Sequence, residues 1–329
     1  MAGNSNKKEI IDEVSGWLRL YSDGTVDRSF TGPQEALFLT TPVPPTTTNS
    51  STTLQDLSGE PNLRLYLPSG DPPTTPLPIL LHFHGGGFSV SHYTWFLYYH
   101  FYSRLAAAIP AAILSAELPL APEHRLPAAI HAATAALLRL RSLPPSLKSI
   151  TDSSRVFLIG DSTGGNLVHE VSSFIGKQPE EYLSPVKLAG GVLINPGFVR
   201  SARSKSELEM KSDGFFNLEM LDKFLAFGLP EGVTKDHPYT CPMGMAAPAM
   251  EELRLPPFMV AVADGDLLRD RELEYCEAMK KAGKDVEVVI SEGVGHSFYL
   301  NKIAVDSDPV TARRSDELID AIKDFVARH

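Results

Sequence analysis

The chain is poor in cysteine and in basic residues, and it lacks long apolar runs. Its 329 residues include two cysteines, Cys241 and Cys276, outside any C-x-x-C spacing, which favours a reducing compartment over a disulfide framework. Forty acidic residues against 30 basic ones give a net charge of −10, which argues against nucleic acid and anionic membranes as partners. Without an 18-residue apolar run or a secretory signal, we expect a cytoplasmic protein with no membrane span, and a monomer.

What the chain does contain is a regular alternation of apolar runs and helix-period segments. Runs typical of strands cover 63–68, 78–83, 111–118, 155–160, 186–195, 256–264 and 285–290. Segments with helical spacing cover 7–20, 94–109, 128–142, a stretch from about 164, 269–282 and 315–327. This alternation predicts an α/β fold with a mostly parallel central sheet and helices on both faces.

Two segments fall outside this alternation. Residues 41–58 are rich in Pro, Thr and Ser, which predicts an exposed loop. Residues 197–250 contain helical pieces but no strand pattern, so we expect an insertion over the strand ends. We therefore predict one domain spanning 1–329, with a helical cap formed by about 1–35 and 197–250.

A serine stands in a tight glycine turn between a strand pattern and a helix pattern. Gly160-Asp161-Ser162-Thr163-Gly164 fits G-x-S-x-G, in which small residues on both sides let a sharp turn expose the hydroxyl. The start of the following helix offers free N–H groups that suit a developing anion. The alternative is a glycine-rich turn that binds phosphate or nothing. The pattern favours Ser162 as a nucleophile.

A second glycine cluster, His84-Gly85-Gly86-Gly87, follows the strand pattern at 78–83. Glycines let backbone N–H groups approach a ligand oxygen closely, although a merely flexible loop has the same composition. Two such donors together with the N–H of Thr163 would form an oxyanion hole. The two glycine clusters therefore predict acyl-transfer chemistry.

A serine nucleophile needs a base and an orienting acid, and in this chain order both follow the serine. Four histidines follow Ser162 in the chain: His169, His237, His296 and His329. Only His296 lies on a loop directly after a strand pattern, so it is the predicted base. The acid is expected after the strand at 256–264, where Asp264 and Asp266 both remain candidates. We favour Asp266 because it lies further out on the loop.

The chain resembles the hormone-sensitive-lipase-like carboxylesterases of the α/β-hydrolase fold in five motifs and in their order: HGGGF, GDSTGGN, LAPEHRLPAA, DGDLLRD and GHSF. WLRLYSDGTVDR resembles their plant branch. The resemblance implies Asp266 as the acid, because it begins a D-x-L-x-D segment. It also implies Gly85, Gly86 and Gly87 as oxyanion donors. Gibberellin receptors share the fold but have lost the histidine, and plant dehydratases replace the serine, whereas Ser162 and His296 are both present here.

These patterns predict a serine carboxylesterase that acts through an acyl-enzyme and uses no metal or organic cofactor. Its partner would be a small-molecule ester. Aromatic residues around the glycine loop and in the predicted cap are expected to line an apolar pocket, although packing explains them equally well: Phe88, Trp95 and Phe215, with Phe216 and Phe224. The alternatives are a binding protein without catalysis on the same fold, and an acyltransferase using the same residues.

Overall fold

A computed structural model describes residues 8–47, 51–71, 73–210 and 216–329. The strands of this part are β1 (Ile10–Val14), β2 (Leu18–Tyr21), β3 (Val26–Asp27), β4 (Thr52–Leu57), β5 (Leu63–Pro68), β6 (Leu77–Phe83), β7 (Ala112–Ala116), β8 (Thr151–Asp161), β9 (Leu188–Ile194), β10 (Phe258–Ala263) and β11 (Val286–Ser291). The helices are α1 (Phe96–Ala108), α2 (Ala128–Arg139), α3 (Pro145–Lys148), α4 (Thr163–Gly176), α5 (Lys205–Glu209), α6 (Leu218–Gly228), α7 (Arg269–Lys281), α8 (Lys302–Ser307) and α9 (Pro309–Arg328).

The main sheet has eight strands in the order β11-β10-β9-β8-β6-β7-β5-β4. Its strands pair in parallel from β11 to β7, and β5 and β4 continue it antiparallel at one edge. Every residue of β6 and β10 is buried, as expected for strands covered on both faces. One apolar cluster joins the sheet to α2, α4 and α7, and another joins it to α1 and α9. The predicted α/β architecture is confirmed.

The helix predicted at 7–20 is wrong, because β1 and β2 form an antiparallel hairpin there. Val14 and Leu18 flank the turn and are both buried. Because they are four residues apart, their spacing is the same as that of two apolar residues on one face of a helix. Gly16 in the turn has a φ of 77°, a conformation that favours glycine. The exposed loop predicted at 41–58 is wrong in its second part, since β4 pairs there with β5.

The hairpin packs on the region of the predicted cap. Val14 and Leu18 share an apolar cluster with residues of α6, including Met220 and Phe224. Lys223 of α6 donates from Nζ to the backbone oxygen of Glu13 at 2.7 Å. Within 197–210 and 216–250 the structure contains helices α5 and α6 and no strand, as predicted. In the described part of the chain, no helix is both long and apolar enough to cross a bilayer.

Candidate active site

The turn between β8 and α4 holds Ser162 in a strained conformation, with φ 50° and ψ −124°. Such a backbone costs roughly 1–3 kcal/mol and is found where function requires it. The glycines on both sides are necessary because a Cβ at Gly160 would overlap the Gly164 carbonyl, and one at Gly164 would overlap the Phe83 carbonyl. The sequence therefore makes a tight turn that presents the serine hydroxyl at the carboxyl end of the sheet.

Three side chains from three loops converge at this hydroxyl. His296, on the loop after β11, has its Nε2 3.0 Å from Ser162 Oγ. Its Nδ1 lies 2.6 Å from Oδ2 of Asp266, on the loop after β10. Asp266 is fully buried, and its other oxygen accepts the N–H of Leu268 at 2.9 Å. This places the imidazole between a hydroxyl and a fixed carboxyl group, in the order that nucleophilic catalysis needs.

Backbone donors lie beside Ser162. Gly86, Gly87 and Thr163 line the same cavity as Ser162, and no described residue accepts their N–H groups. Gly86 and Gly87 have φ values of 95° and 62°, which explains why the loop is built from glycine. The inclusion of Gly85 needs correction: its N–H donates to Asp161 Oδ2 at 3.1 Å, and it does not line the cavity.

Asp161 connects the two glycine clusters. It is 2% exposed. In addition to the bond from Gly85 to Oδ2, its Oδ1 lies 3.1 Å from Nε2 of His82. His82 Nδ1 lies 2.7 Å from Ser115 Oγ, and burial lowers the pKa of His82, so the ring is neutral. Nε2–H therefore donates to Asp161, and Nδ1 accepts from Ser115. Asp161 holds the glycine loop against the serine turn, whereas the carboxyl group that bonds to His296 is that of Asp266.

The other candidates for base and acid have structural partners. His169 is buried with Nδ1 2.8 Å from the hydroxyl of Tyr275, and burial lowers its pKa to about 3. Asp264 accepts the N–H of Gly293 at 2.7 Å, which fixes the loop that carries His296. The alternative acid is therefore a turn residue.

A cavity of about 510 Å³ opens beside the serine, with mainly apolar walls. Trp95 lines it as predicted and stacks on Trp17 with ring centroids 6.4 Å apart. Phe88 does not line it; its ring packs against Gly228 at the end of α6, so the prediction of Phe88 as a substrate contact is wrong. Phe215, also predicted to contact substrate, lies outside the described residues.

Some residues of the site were missed or only mentioned from the sequence. Phe216 stacks on the His296 ring, with centroids 4.6 Å apart and planes at 29°. Trp17 and Phe298 line the cavity as well, one from the N-terminal hairpin and the other from the segment after His296. The sequence signal for Phe298 is its position two residues after His296, and Trp17 was missed because the hairpin was predicted to be a helix.

A third acid, Glu272 of α7, completes a cluster with Asp266 and His296. One carboxylate oxygen of each acid and one ring nitrogen of the histidine lie within 4.8 Å of one another. Metal ions accept such ligands, but here Asp266 and His296 already bond to each other in line with Ser162. The cluster is therefore better suited to proton transfer than to holding a cation.

Comparison with known proteins gives a family and two kinds of relative. A family model described as alpha/beta hydrolase fold matches residues 80–300. A probable carboxylesterase of Arabidopsis thaliana is 32% identical over 297 residues, covering 88% of this chain and 85% of the relative. A gibberellin receptor of the same plant is 34% identical over 225 residues, covering 68% and 63%. The crystal structure of carboxyl esterase 2 from Tuber melanosporum shares the fold, with a TM-score of 0.69, 20% identity, and coverage of 85% and 87%.

Proposed function

The chain belongs to the alpha/beta hydrolase fold family with plant carboxylesterases among its relatives, and we propose that it is a serine carboxylesterase. The observation that carries the proposal is the line of contacts from Ser162 through His296 to Asp266, at 3.0 and 2.6 Å. Both contacts are at hydrogen-bond distance, and Ser162 and His296 line a cavity. Family membership alone would leave a binding role equally open.

In this mechanism His296 takes the proton of Ser162 while the serine oxygen attacks the ester carbonyl. The carbonyl electrons move to the oxygen, which accepts hydrogen bonds from the N–H groups of Gly86, Gly87 and Thr163. His296 returns its proton to the departing alcohol, and the acyl group stays on Ser162. Water then repeats these steps and releases the acid. Asp266 keeps the ring oriented and stabilises the imidazolium that forms twice in each cycle.

The walls of the cavity favour neutral, apolar esters. Trp17, Trp95, Phe216 and Phe298 surround the serine, and no lysine or arginine lines the cavity within the described residues. An anionic group would lose its hydration there without a compensating cation. We therefore assign uncharged ester substrates that fit within about 510 Å³. Two free, buried cysteines support a reducing compartment, and the cytoplasm and a monomer remain part of the proposal.

The test is a series of p-nitrophenyl esters of increasing acyl length, with and without an organophosphate. We expect turnover, labelling of one serine per chain, and loss of both in Ser162→Ala. Ser149→Ala, which removes an exposed hydroxyl, is the matched control and should behave as wild type. Wild-type turnover in Ser162→Ala would contradict the mechanism.

The second candidate is a non-catalytic ligand-binding protein, favoured by the gibberellin receptor relative and by the cavity. It predicts saturable binding of a small molecule with no ester turnover and no serine labelling. An acyltransferase would show labelling but would transfer the acyl group to an added alcohol, which product analysis detects. Labelling with release of free acid supports the esterase over both.

A further inference from the structure

Glu272 is a buried carboxyl group directly behind the triad. It lies in the first turns of α7 and is 0% exposed. Neither of its oxygens has a hydrogen-bond partner of good geometry among the described residues. Such a group is costly, because an unpaired buried carboxylate loses its hydration without compensation. Its position within 4.8 Å of Asp266 and His296 gives the group a place in the site.

The surroundings of Glu272 favour its neutral form. Burial is the largest cause that raises the pKa of Glu272 well above its usual range, and the nearby Asp266 carboxyl group raises it further, while the Asn195 amide acts in the opposite direction. Cys276, one turn along α7, also stays neutral because burial raises the pKa of its thiol to about 12. Within the described residues, no lysine or arginine is among the groups that shift Glu272.

Two carboxylates cannot both be ionised in so small a buried space, so the pair shares one proton. Asp266 accepts from His296 Nδ1 at 2.6 Å and from the Leu268 N–H at 2.9 Å, which stabilise its charge. Glu272 has no comparable donors. The shared proton therefore resides on Glu272.

We propose that Glu272 is a positioning residue of the triad, which keeps its proton and donates it in a hydrogen bond to Asp266. Asp266 is then held by three donors on its two oxygens, and its one negative charge is shared between two carboxyl groups. The imidazole of His296 consequently faces a weaker anion than an isolated aspartate. It releases its proton at lower pH, and the enzyme stays active further into the acid range. This role rests on the proposed esterase function.

The test compares Glu272→Gln and Glu272→Leu in the full-length protein, by the pH profile of kcat/KM on a neutral p-nitrophenyl ester. Glutamine keeps an uncharged donor of the same shape, so the midpoint of the acid limb should move by less than about 0.3 pH units. Leucine removes the donor and leaves the full charge of Asp266 facing the ring. Its acid limb should therefore move up by about 0.5–1 unit, a loss of roughly three- to tenfold in rate at acid pH.

Glu277→Gln is the matched control, because it makes the same substitution on an exposed position of the same helix and should leave the profile unchanged. If Glu272 were ionised, Glu272→Gln would remove a negative charge beside the ring and move the limb down by about one unit, which would overturn the proposal. An unchanged limb in a folded Glu272→Leu would overturn it too. Should that variant not fold, Glu272→Met, which also lacks a donor but keeps the length of the side chain, takes its place.

A second readout separates this inference from the esterase assignment. The titration of the His296 ring, followed by nitrogen NMR and assigned with His296→Asn, needs no substrate. Its midpoint should follow the same order as the kinetic limbs, with Glu272→Gln at the wild-type value and Glu272→Leu above it. An inactive wild type would refute the proposed function and leave this measurement valid. A midpoint equal in all three proteins would refute the role of Glu272 and leave the esterase standing.

Discussion

Replacement of Asp161 by Asn and by Ala should have very different effects, although both remove the same charge. In Asp161→Asn the amide oxygen can still accept the N–H of Gly85. The amide nitrogen faces His82, which can shift its proton to Nδ1 and donate to Ser115, since a hydroxyl oxygen accepts as well as it donates. The N–H of Gly85 and the ring N–H of His82 then keep acceptors, while the Ser115 hydroxyl no longer has His82 as its acceptor, so the free energy of unfolding should fall by about 1–2 kcal/mol.

Asp161→Ala leaves the N–H of Gly85 and the ring N–H of His82 without acceptors in a site that is 2% exposed. Each unpaired buried donor costs about 1–3 kcal/mol, so the free energy of unfolding should fall by about 2–6 kcal/mol. The loop that carries Gly86 also loses its tie to the serine turn. Loss of one oxyanion donor corresponds to about a 100-fold fall in kcat, whereas Asp161→Asn should stay within about fivefold.

Urea unfolding with comparison of m-values gives the stabilities, and turnover of a short-chain p-nitrophenyl ester gives kcat. The reasoning predicts an ordering in both assays, with Asn near wild type and Ala far below it. Equal losses in the two variants would show that the charge of Asp161 matters more than its hydrogen bonds. A loss below about 1 kcal/mol in Asp161→Ala would show that the glycine loop holds its position without this tie.

Three further changes test other parts of the site. Asp266→Asn should lower kcat by about 10⁴-fold in a folded protein, as ester assays and circular dichroism would show, since an amide favours the wrong ring tautomer; a loss below tenfold would contradict the assigned acid. Gly87→Ala places a Cβ against the Phe224 ring of α6 and should lower kcat/KM at least tenfold. Gly232 also has a positive φ but faces open space, so Gly232→Ala should lower only the stability. Equal kcat/KM values in the two variants would refute the effect of the Phe224 contact. Burial raises the pKa of Glu170 to about 7, so ionisation of this carboxyl group destabilises the fold as the pH rises from about 4.5 to 7. In urea unfolding, the free energy of unfolding of Glu170→Gln should therefore rise relative to wild type by up to about 3 kcal/mol over that pH range. A difference that does not change with pH would contradict this.

The sequence predicted the sheet well because buried parallel strands leave an unambiguous signal. β6 and β10 are apolar at every position or nearly so, and their glycine-rich or acidic ends coincide with the strand ends. The hairpin at the N-terminus was missed because Val14 and Leu18 face the same cluster across a turn. Sequence spacing alone does not separate a four-residue helical repeat from a short turn between two strands.

The candidate site was predictable where chemistry restricts the residue type, and not where only packing decides. Ser162 and His296 were predicted because nucleophilic catalysis needs those side chains on loops after strands, whereas spacing left both Asp264 and Asp266 as candidates and the family resemblance implied Asp266. The family resemblance implied a donor role for Gly85 as well, and the sequence does not show which of the three glycine N–H groups points into the cavity. Glu272 left no signal, since a glutamate on a helix is ordinarily exposed and only the fold turns this one toward Asp266.

The unfavourable φ of Ser162 has a practical consequence for engineering this protein. Glycine is the one residue that adopts such a backbone without strain, so a library selected for heat resistance alone would enrich Ser162→Gly. Those clones would show higher melting temperatures but would lack the hydroxyl that we propose as the nucleophile. A thermostability campaign on this scaffold should therefore score ester cleavage in the same round, because at this position robustness and reactivity are opposed.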